Sequence, residues 1–324
     1  MVASLAVGCG NKGGDSKSDS SKSSSSDEIT IGFSQVGAES DWRTANSQSM
    51  KDTFSKENGY DLIFDDAQQK QENQITAIRN FIQQEVDYIL LAPVTETGWD
   101  TVLQEAKDAD IPVIIVDRMV DVSDDSLYTT WIGTDSLLEG RKAAEWLNAY
   151  TTAKGIDAKD VNIVDIQGTI GSTAQIGRTK GLEEGVDKYG WDLVAQQTGE
   201  FTQAKGQEVM ESMLKQYDNI NVVYCENDNE AFGAIDAIKA AGYEVGADKD
   251  MMVFSFDSTK EGLKKVQSGE ITLNTECNPL HGPRVAEIIQ KLEKGEQVDK
   301  VQYVDEAYFD TSMDLEEILK TRAY

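Results

Sequence analysis

The chain has 324 residues, with 30 Lys+Arg against 58 Asp+Glu and a formal net charge of −28. That balance opposes a polyphosphate partner, where affinity comes from Lys and Arg displacing counterions, and it opposes adsorption to anionic lipid, so nucleic acid is not expected as a partner. With 39% hydrophobic and 8% aromatic residues the chain can bury a core, but its length exceeds the roughly 250 to 300 residues at which single cores stop growing, which predicts two lobes.

At the N-terminus, residues 2–8 are small or apolar and close on Cys9, and every residue from Asp15 to Glu28 is Ser or charged. The stretch Ala6-Val7-Gly8-Cys9 resembles the tail of a bacterial lipoprotein signal, in which the Cys is lipidated and becomes the mature N-terminus. Leu5 stands one place further from the Cys than that pattern has it, and no basic n-region precedes it, so the given start is expected to fall inside the signal. An ordinary disordered N-terminus is the alternative. The Ser-rich segment has too little apolar surface to offset its ordering entropy and is expected to be a flexible tether. No run of ~18 apolar residues encodes a membrane-spanning helix.

From Ile29 onward, short apolar runs alternate with segments of helical period. The runs are Ile29–Phe33, Leu62–Phe64, Tyr88–Leu91, Val113–Val116, Val161–Val164, Leu193-Val194, Asn221–Tyr224 and Met251–Phe254. Most are too apolar for a half-exposed strand and fit strands covered on both faces in a parallel sheet. Between the third run and its predecessor, Ile75, Ile78, Ile82 and Val86 place one apolar stripe on a helix whose other face carries Gln, Arg and Glu. Helical patterns also run through 139–148, 179–188, 204–214, 230–240 and 284–292. Strand and helix in alternation imply right-handed βαβ units, and about eight to ten strands suggest two doubly wound α/β sheets.

Ligands of open α/β sheets bind beyond the carboxyl ends of the strands. There the sequence places Ser34-Gln35 and then Glu39-Ser40-Asp41-Trp42-Arg43, Asp117-Arg118, Asp165 through Thr169, Glu226-Asn227-Asp228, and Asp257. Asp, Asn and Arg with a nearby aromatic suit a polyhydroxylated ligand, because each amide or charged group can engage adjacent hydroxyls and Trp can cover the C–H face of a sugar ring. Each residue also has a plain structural role open to it. Asp117-Arg118 reads equally as a surface ion pair, Trp42 as core, and Asn227 or Asp228 as an N-cap of the helix near Glu230.

The chemistry of common enzymes is missing from the motifs. His281 is the single histidine, and no Gly-x-Ser-x-Gly elbow accompanies it. Neither a Walker A loop nor a Gly-x-Gly-x-x-Gly follows the first strand, and Gly168-Thr169-Ile170-Gly171-Ser172 falls short of both, reading either as a strand-to-helix turn or as a ligand-facing loop. Cys225 and Cys277 are too far apart for a metal motif and read as small buried hydrophobes. A pair of carboxylates facing one another as in a glycosidase is the enzymatic alternative.

These strand-end residues lie in longer stretches that carry a family resemblance. They are Gly37 through Arg43, Asp65 through Ile75, Ala92 through Trp99, Ala106 through Val113, Asp117-Arg118, Gln167-Gly168-Thr169 and Lys205 through Ser212. From Ile29 to about Tyr308 the chain resembles the periplasmic sugar-binding proteins of the ribose/galactose type, within them the galactofuranose-binding branch, which deliver ligand to ABC importers. The resemblance implies a type I periplasmic binding protein fold: two Rossmann-like lobes with parallel sheets, joined by a three-strand hinge that closes on the sugar.

It further implies one lobe from 29–133 plus 277–303 and another from 134–276 plus 304–324, with 1–28 as truncated signal and tether. Carried over by motif, lobe one would supply Glu39, Ser40, Asp41, Trp42, Arg43, Asp117 and Arg118 to the ligand, and lobe two Thr169, Ser172, Arg178, Phe201, Asn227 and Asp257. Glu276 stands at the hinge position that is Gln in ribose-binding relatives, and Asp41 departs from the Gly of the galactofuranose binder. No calcium loop of the glucose/galactose branch is recognisable, so neither a structural metal nor a cofactor is expected. The implied protein is a non-enzymatic, lipid-anchored, monomeric binder of an aldose in furanose form, with an ABC permease as partner. A sugar sensor presenting its ligand to a chemoreceptor or sensor kinase is the alternative.

Overall fold

The computed structural model describes residues 28–324, so Cys9 and most of the Ser-rich segment lie outside the described residues. Two six-stranded sheets form the body. The first contains β1 (Ile29–Gln35), β2 (Tyr60–Asp66), β3 (Tyr88–Leu91), β4 (Val113–Val116), β5 (Thr130–Gly133) and β11 (Val301–Tyr303), in the order β11-β5-β4-β3-β1-β2 and parallel throughout. The second contains β6 (Asn162–Gln167), β7 (Asp192–Thr198), β8 (Val222–Cys225), β9 (Met252–Asp257), β10 (Leu273–Glu276) and β12 (Tyr308–Asp310), in the order β12-β10-β9-β8-β6-β7, with β12 alone antiparallel.

The apolar runs work as the parallel-sheet reading requires. In β3, Tyr88 and Leu90 enter one core cluster while Ile89 and Leu91 enter another, because successive side chains point to opposite faces and helices cover both. In β8, Val222 and Tyr224 likewise part from Val223 and Cys225. Removing such side chains from water stabilises each strand by roughly 1.5 to 3 kcal/mol per residue. On α2 (Gln71–Gln83), Ile78 is fully buried and Ile75 and Ile82 are partly buried against the same cluster.

The chain passes between the sheets three times: after β5, after β10 and between β11 and β12. Helix α9 (Gly282–Glu293) returns to the first sheet, where Val285, Ile288 and Ile289 join the core of Ile31 and Phe33. Thr134, Cys277 and Glu306, one from each passage, meet at the junction: Thr134 Oγ1 donates to Glu306 Oε1 at 2.9 Å, the Asn278 amide donates to the same oxygen at 2.6 Å, and Thr134 Oγ1 lies 3.4 Å from Cys277 Sγ. No helix of the described residues is long and apolar enough to cross a membrane.

Candidate functional site

The carboxyl ends of the two sheets face each other across a cleft of about 430 Å³, counted out to open solvent. Its first wall follows from how α1 (Asp41–Thr53) begins. Ser40 caps it, its Oγ accepting from the Arg43 amide at 3.1 Å. The first turn thereby presents Trp42 and Arg43 to the cleft. Arg43 Nε donates to Glu39 Oε1 at 2.9 Å and Nη2 to Asp117 Oδ2 at 2.7 Å. Arg118 Nη1 donates to the Val94 carbonyl at 2.9 Å, and its Nη2 lies 3.5 Å from Glu39 Oε1. Burial pushes the Asp117 carboxyl up, but the charges of Arg43 and Arg118 outweigh it and hold it below the usual range. Burial and the neighbouring Arg43 together lower Arg118 to about 10.

Trp42 is fixed from behind. Its Nε1 donates to the Cys277 carbonyl at 2.7 Å, and its ring meets His281 edge-on at 5.9 Å. His281 is fully buried, and its Nδ1 lies 3.1 Å from Asn46 Nδ2, so that nitrogen accepts and the proton sits on Nε2. Burial lowers this imidazole to about 4.

The opposite wall carries Arg178, Phe201, Asn227 and Asp257. Arg178, on α5 (Thr173–Tyr189), donates through Nε to Glu139 Oε2 at 2.8 Å and through Nη1 to the Glu226 carbonyl at 2.5 Å, with Asp257 Oδ1 3.7 Å from Nη2. Phe201 is held by its backbone: its amide donates to Glu230 Oε1 at 2.8 Å and its carbonyl accepts from Asn227 Nδ2 at 3.1 Å. The ring lies on Gly168, where a Cβ would come within 1.9 Å of Phe201, so only glycine fits beneath it. Arg118 of the first wall stands 5.3 Å over this ring. Asp117, Phe201 and Asp257 all adopt left-handed backbone, with φ of 67°, 61° and 101°; such conformations cost of order 1–3 kcal/mol each and gather at ligand clamps.

Behind the second wall, Asp165, Glu226 and Glu230 are buried carboxyls raised first by burial, Asp165 to about 8, and the charge of Asp165 pushes Glu226 and Glu230 up further. Asp257 is raised by burial against the pull of Arg178. At the junction, burial and Glu139 push Glu306 to about 9. Glu139, Cys277 and Glu306 are the one group among the described residues whose metal-ligating atoms gather within 4.8 Å, and Glu139 is already engaged by Arg178.

Ten of the residues expected from the sequence line this cleft: Glu39, Ser40, Trp42, Arg43, Asp117, Arg118, Arg178, Phe201, Asn227 and Asp257. The other four expected residues, Asp41, Thr169, Ser172 and Glu276, lie outside its lining. Asp41 is exposed and reaches across the rim to Asn229. Ser172 is consumed as the N-cap of α5, accepting from the Gln175 amide. Thr169 lies in the preceding turn, its carbonyl accepting from the Ser172 amide. Glu276 binds the C-terminal segment instead, its Oε1 accepting from Arg322 at 2.5 Å and from the Tyr324 hydroxyl at 2.9 Å. The sequence reading missed Thr134, Ser136, Thr173, Ala174 and Cys277, which also line the cleft. Cys277 is buried as expected of a small hydrophobe, but at the cleft floor. Asn227 fills both roles the sequence left open, capping α7 (Asp228–Ala240) while facing the cleft.

Residues 31–296 match the periplasmic binding protein domain family. The chain is 42% identical over 270 residues to the galactofuranose-binding protein of Escherichia coli, covering 82% of each. A Mycobacterium smegmatis protein solved in complex with β-D-fucofuranose is similar at 44% identity and a TM-score of 0.83, over 88% of this chain and 92% of that one. The binding component of a Shewanella arabinose ABC transporter, bound to L-arabinofuranose, is similar at 42% identity and a TM-score of 0.84, over 91% and 96%.

Proposed function

Since the chain belongs to the periplasmic binding protein family, we propose that it is an extracytoplasmic solute-binding protein that captures an aldose in furanose form, such as galactofuranose, and delivers it to an ABC importer permease. One observation carries this reading. Glu39 Oε2 and Arg43 Nη1 are buried at the cleft and have no hydrogen-bond partner in the protein. Burying such groups unpaired costs ~1 to 3 kcal/mol each, more for charges, so they are built for a partner that enters with hydroxyls. An acceptor beside a donor matches adjacent sugar hydroxyls, and the two aromatics, Trp42 and Phe201, offer apolar faces to the ring's C–H groups.

The mechanism is capture by closure. One lobe, residues 29–133 plus 277–303, presents Arg43, Arg118 and Asp117, and the other, 134–276 plus 304–324, presents Arg178, Asn227 and Asp257. A sugar contacting both walls favours the closed arrangement by its differential affinity for it. No covalent step is required, and a monomer suffices because all of these residues come from one chain. Lipidation of Cys9 belongs to the same proposal, supported by the Ala6-Val7-Gly8-Cys9 pattern.

Titration calorimetry against L-arabinose, D-galactose, D-fucose and D-ribose tests the reading, with the bound ring form identified by NMR. Tight binding of a furanose is expected, and the absence of heat from every sugar refutes it. Cys9→Ser is expected to free the full-length protein from membranes, and unchanged fractionation refutes the anchor.

A further inference from the structure

We propose that two clasps on the rim of the cleft, Asp41 with Asn229 and Glu96 with Thr173, set how tightly this protein holds any sugar without helping to choose which; the proposal rests on the sugar-binding reading above. The first clasp is reciprocal. The Asp41 amide donates to Asn229 Oδ1 at 3.0 Å, and Asn229 Nδ2 donates back to Asp41 Oδ2 at 3.4 Å. In the second, the Thr173 hydroxyl donates to Glu96 Oε1 at 2.6 Å while accepting from the Met119 amide at 2.7 Å, and the Glu96 amide donates to the Gly171 carbonyl at 3.0 Å.

Every one of these bonds joins a segment that follows a strand of the first sheet to one that follows a strand of the second. Asp41 follows β1, Glu96 follows β3 and Met119 follows β4, whereas Gly171 and Thr173 follow β6 and Asn229 follows β8. Asp41, Glu96, Gly171 and Asn229 are absent from the lining of the cleft, and Thr173, which does line it, has its hydroxyl taken up by Glu96 and the Met119 amide. Bonds that cross from one lobe to the other break when the lobes part, whichever sugar is bound. A contact present only in the binding-competent state multiplies the apparent affinity for every ligand by the same factor, through the population of that state. Residues that touch the sugar alter the ratio between sugars instead.

The test is calorimetry on the full chain and on Asn229→Ala, Glu96→Ala, Glu96→Gln and the Asn229→Ala/Glu96→Ala double variant, each with L-arabinose and D-galactose. Each alanine variant is expected to weaken binding about threefold to tenfold, the net value of hydrogen bonds of this kind. The factor is expected to be the same for both sugars and to multiply in the double variant. Glu96→Gln keeps an oxygen to accept from Thr173, so it recovers most of the loss. Unchanged affinity in the variants, or a factor differing between sugars by more than about threefold, overturns the clasps while leaving the sugar reading intact. A parent protein that binds neither these nor any other aldose overturns both.

Discussion

The two walls of the cleft use the same residue types and reach opposite electrostatic outcomes. In the first, two guanidiniums, Arg43 and Arg118, stand among two carboxylates, Glu39 and Asp117, and Asp117 is held down as an anion. In the second, Arg178 alone faces Glu139 and Asp257, with Asp165, Glu226 and Glu230 behind, and the carboxyls there are pushed up. Asp117 and Asp257 are close counterparts: each sits at the end of a strand, in left-handed backbone, facing the same cleft. Burial acts on both in the same direction; at Asp117 the two guanidiniums outweigh it, whereas at Asp257 Arg178 alone does not, and the neighbouring Asp228, Glu139 and Asp117 add to the rise. One wall stabilises the charged form of its aspartate, and the other disfavours the charged form of its carboxyls.

The sharpest way to break this contrast is Asp117→Asn. It leaves Arg43 and Arg118 buried with one anion between them, and a loss of sugar affinity of about tenfold to a hundredfold is expected by calorimetry. Gly168→Ala ranks next, because its methyl would overlap the Phe201 ring and push the second wall's aromatic out of place; roughly tenfold weaker binding is expected, together with a loss of stability of about 1–3 kcal/mol read from the melting temperature.

The third test uses pH. His281, in the first lobe, titrates near 6.5 when unfolded and about 4 when folded, so between those values the unfolded state holds more protons and stability rises with pH, by about 3 kcal/mol. Asp165, in the second lobe, titrates near 3.8 unfolded and about 8 folded, so over that range the folded state holds more protons and stability falls as pH rises. Hydrogen exchange at pH 5 and pH 8, corrected for intrinsic rates, is expected to show opening free energies moving in opposite directions in the two lobes. Parallel movement defeats the contrast. The smallest effect is expected for Asp257→Asn, because this side chain stands 3.7 Å from a single guanidinium, Arg178, that Glu139 also pairs, so affinity is expected to change less than about threefold; a loss matching Asp117→Asn would show the two aspartates to be alike.

Legibility in the sequence followed how self-contained each signal was. The apolar strands could be read because burial on both faces needs no knowledge of the partner. Strand β10 could not, since Asn274 and Thr275 break the apolar pattern; Asn274 is tolerated inside because its Nδ2 donates to the buried Asp228 at 2.6 Å and its Oδ1 accepts from the Ser258 amide. Strands β11 and β12 are three residues each, too short for any periodicity. In the cleft, charged and aromatic residues announced themselves by type. What sequence withholds is which neighbour claims a residue first. Asp41 went to Asn229, Ser172 to a helix cap and Glu276 to Arg322, while the small residues Thr134, Ser136 and Ala174 carried no chemical signal at all.

The strand order has a consequence for how the molecule is made. The first sheet takes its edge strand from residues 301–303 and the second from 308–310, and α9, at 282–293, completes the core under β1. Both lobes thus stay unfinished until the chain has been synthesised almost to its end. Contacts of such long sequence separation form slowly. A truncation that removes the last 25 residues would strip an edge from both lobes at once.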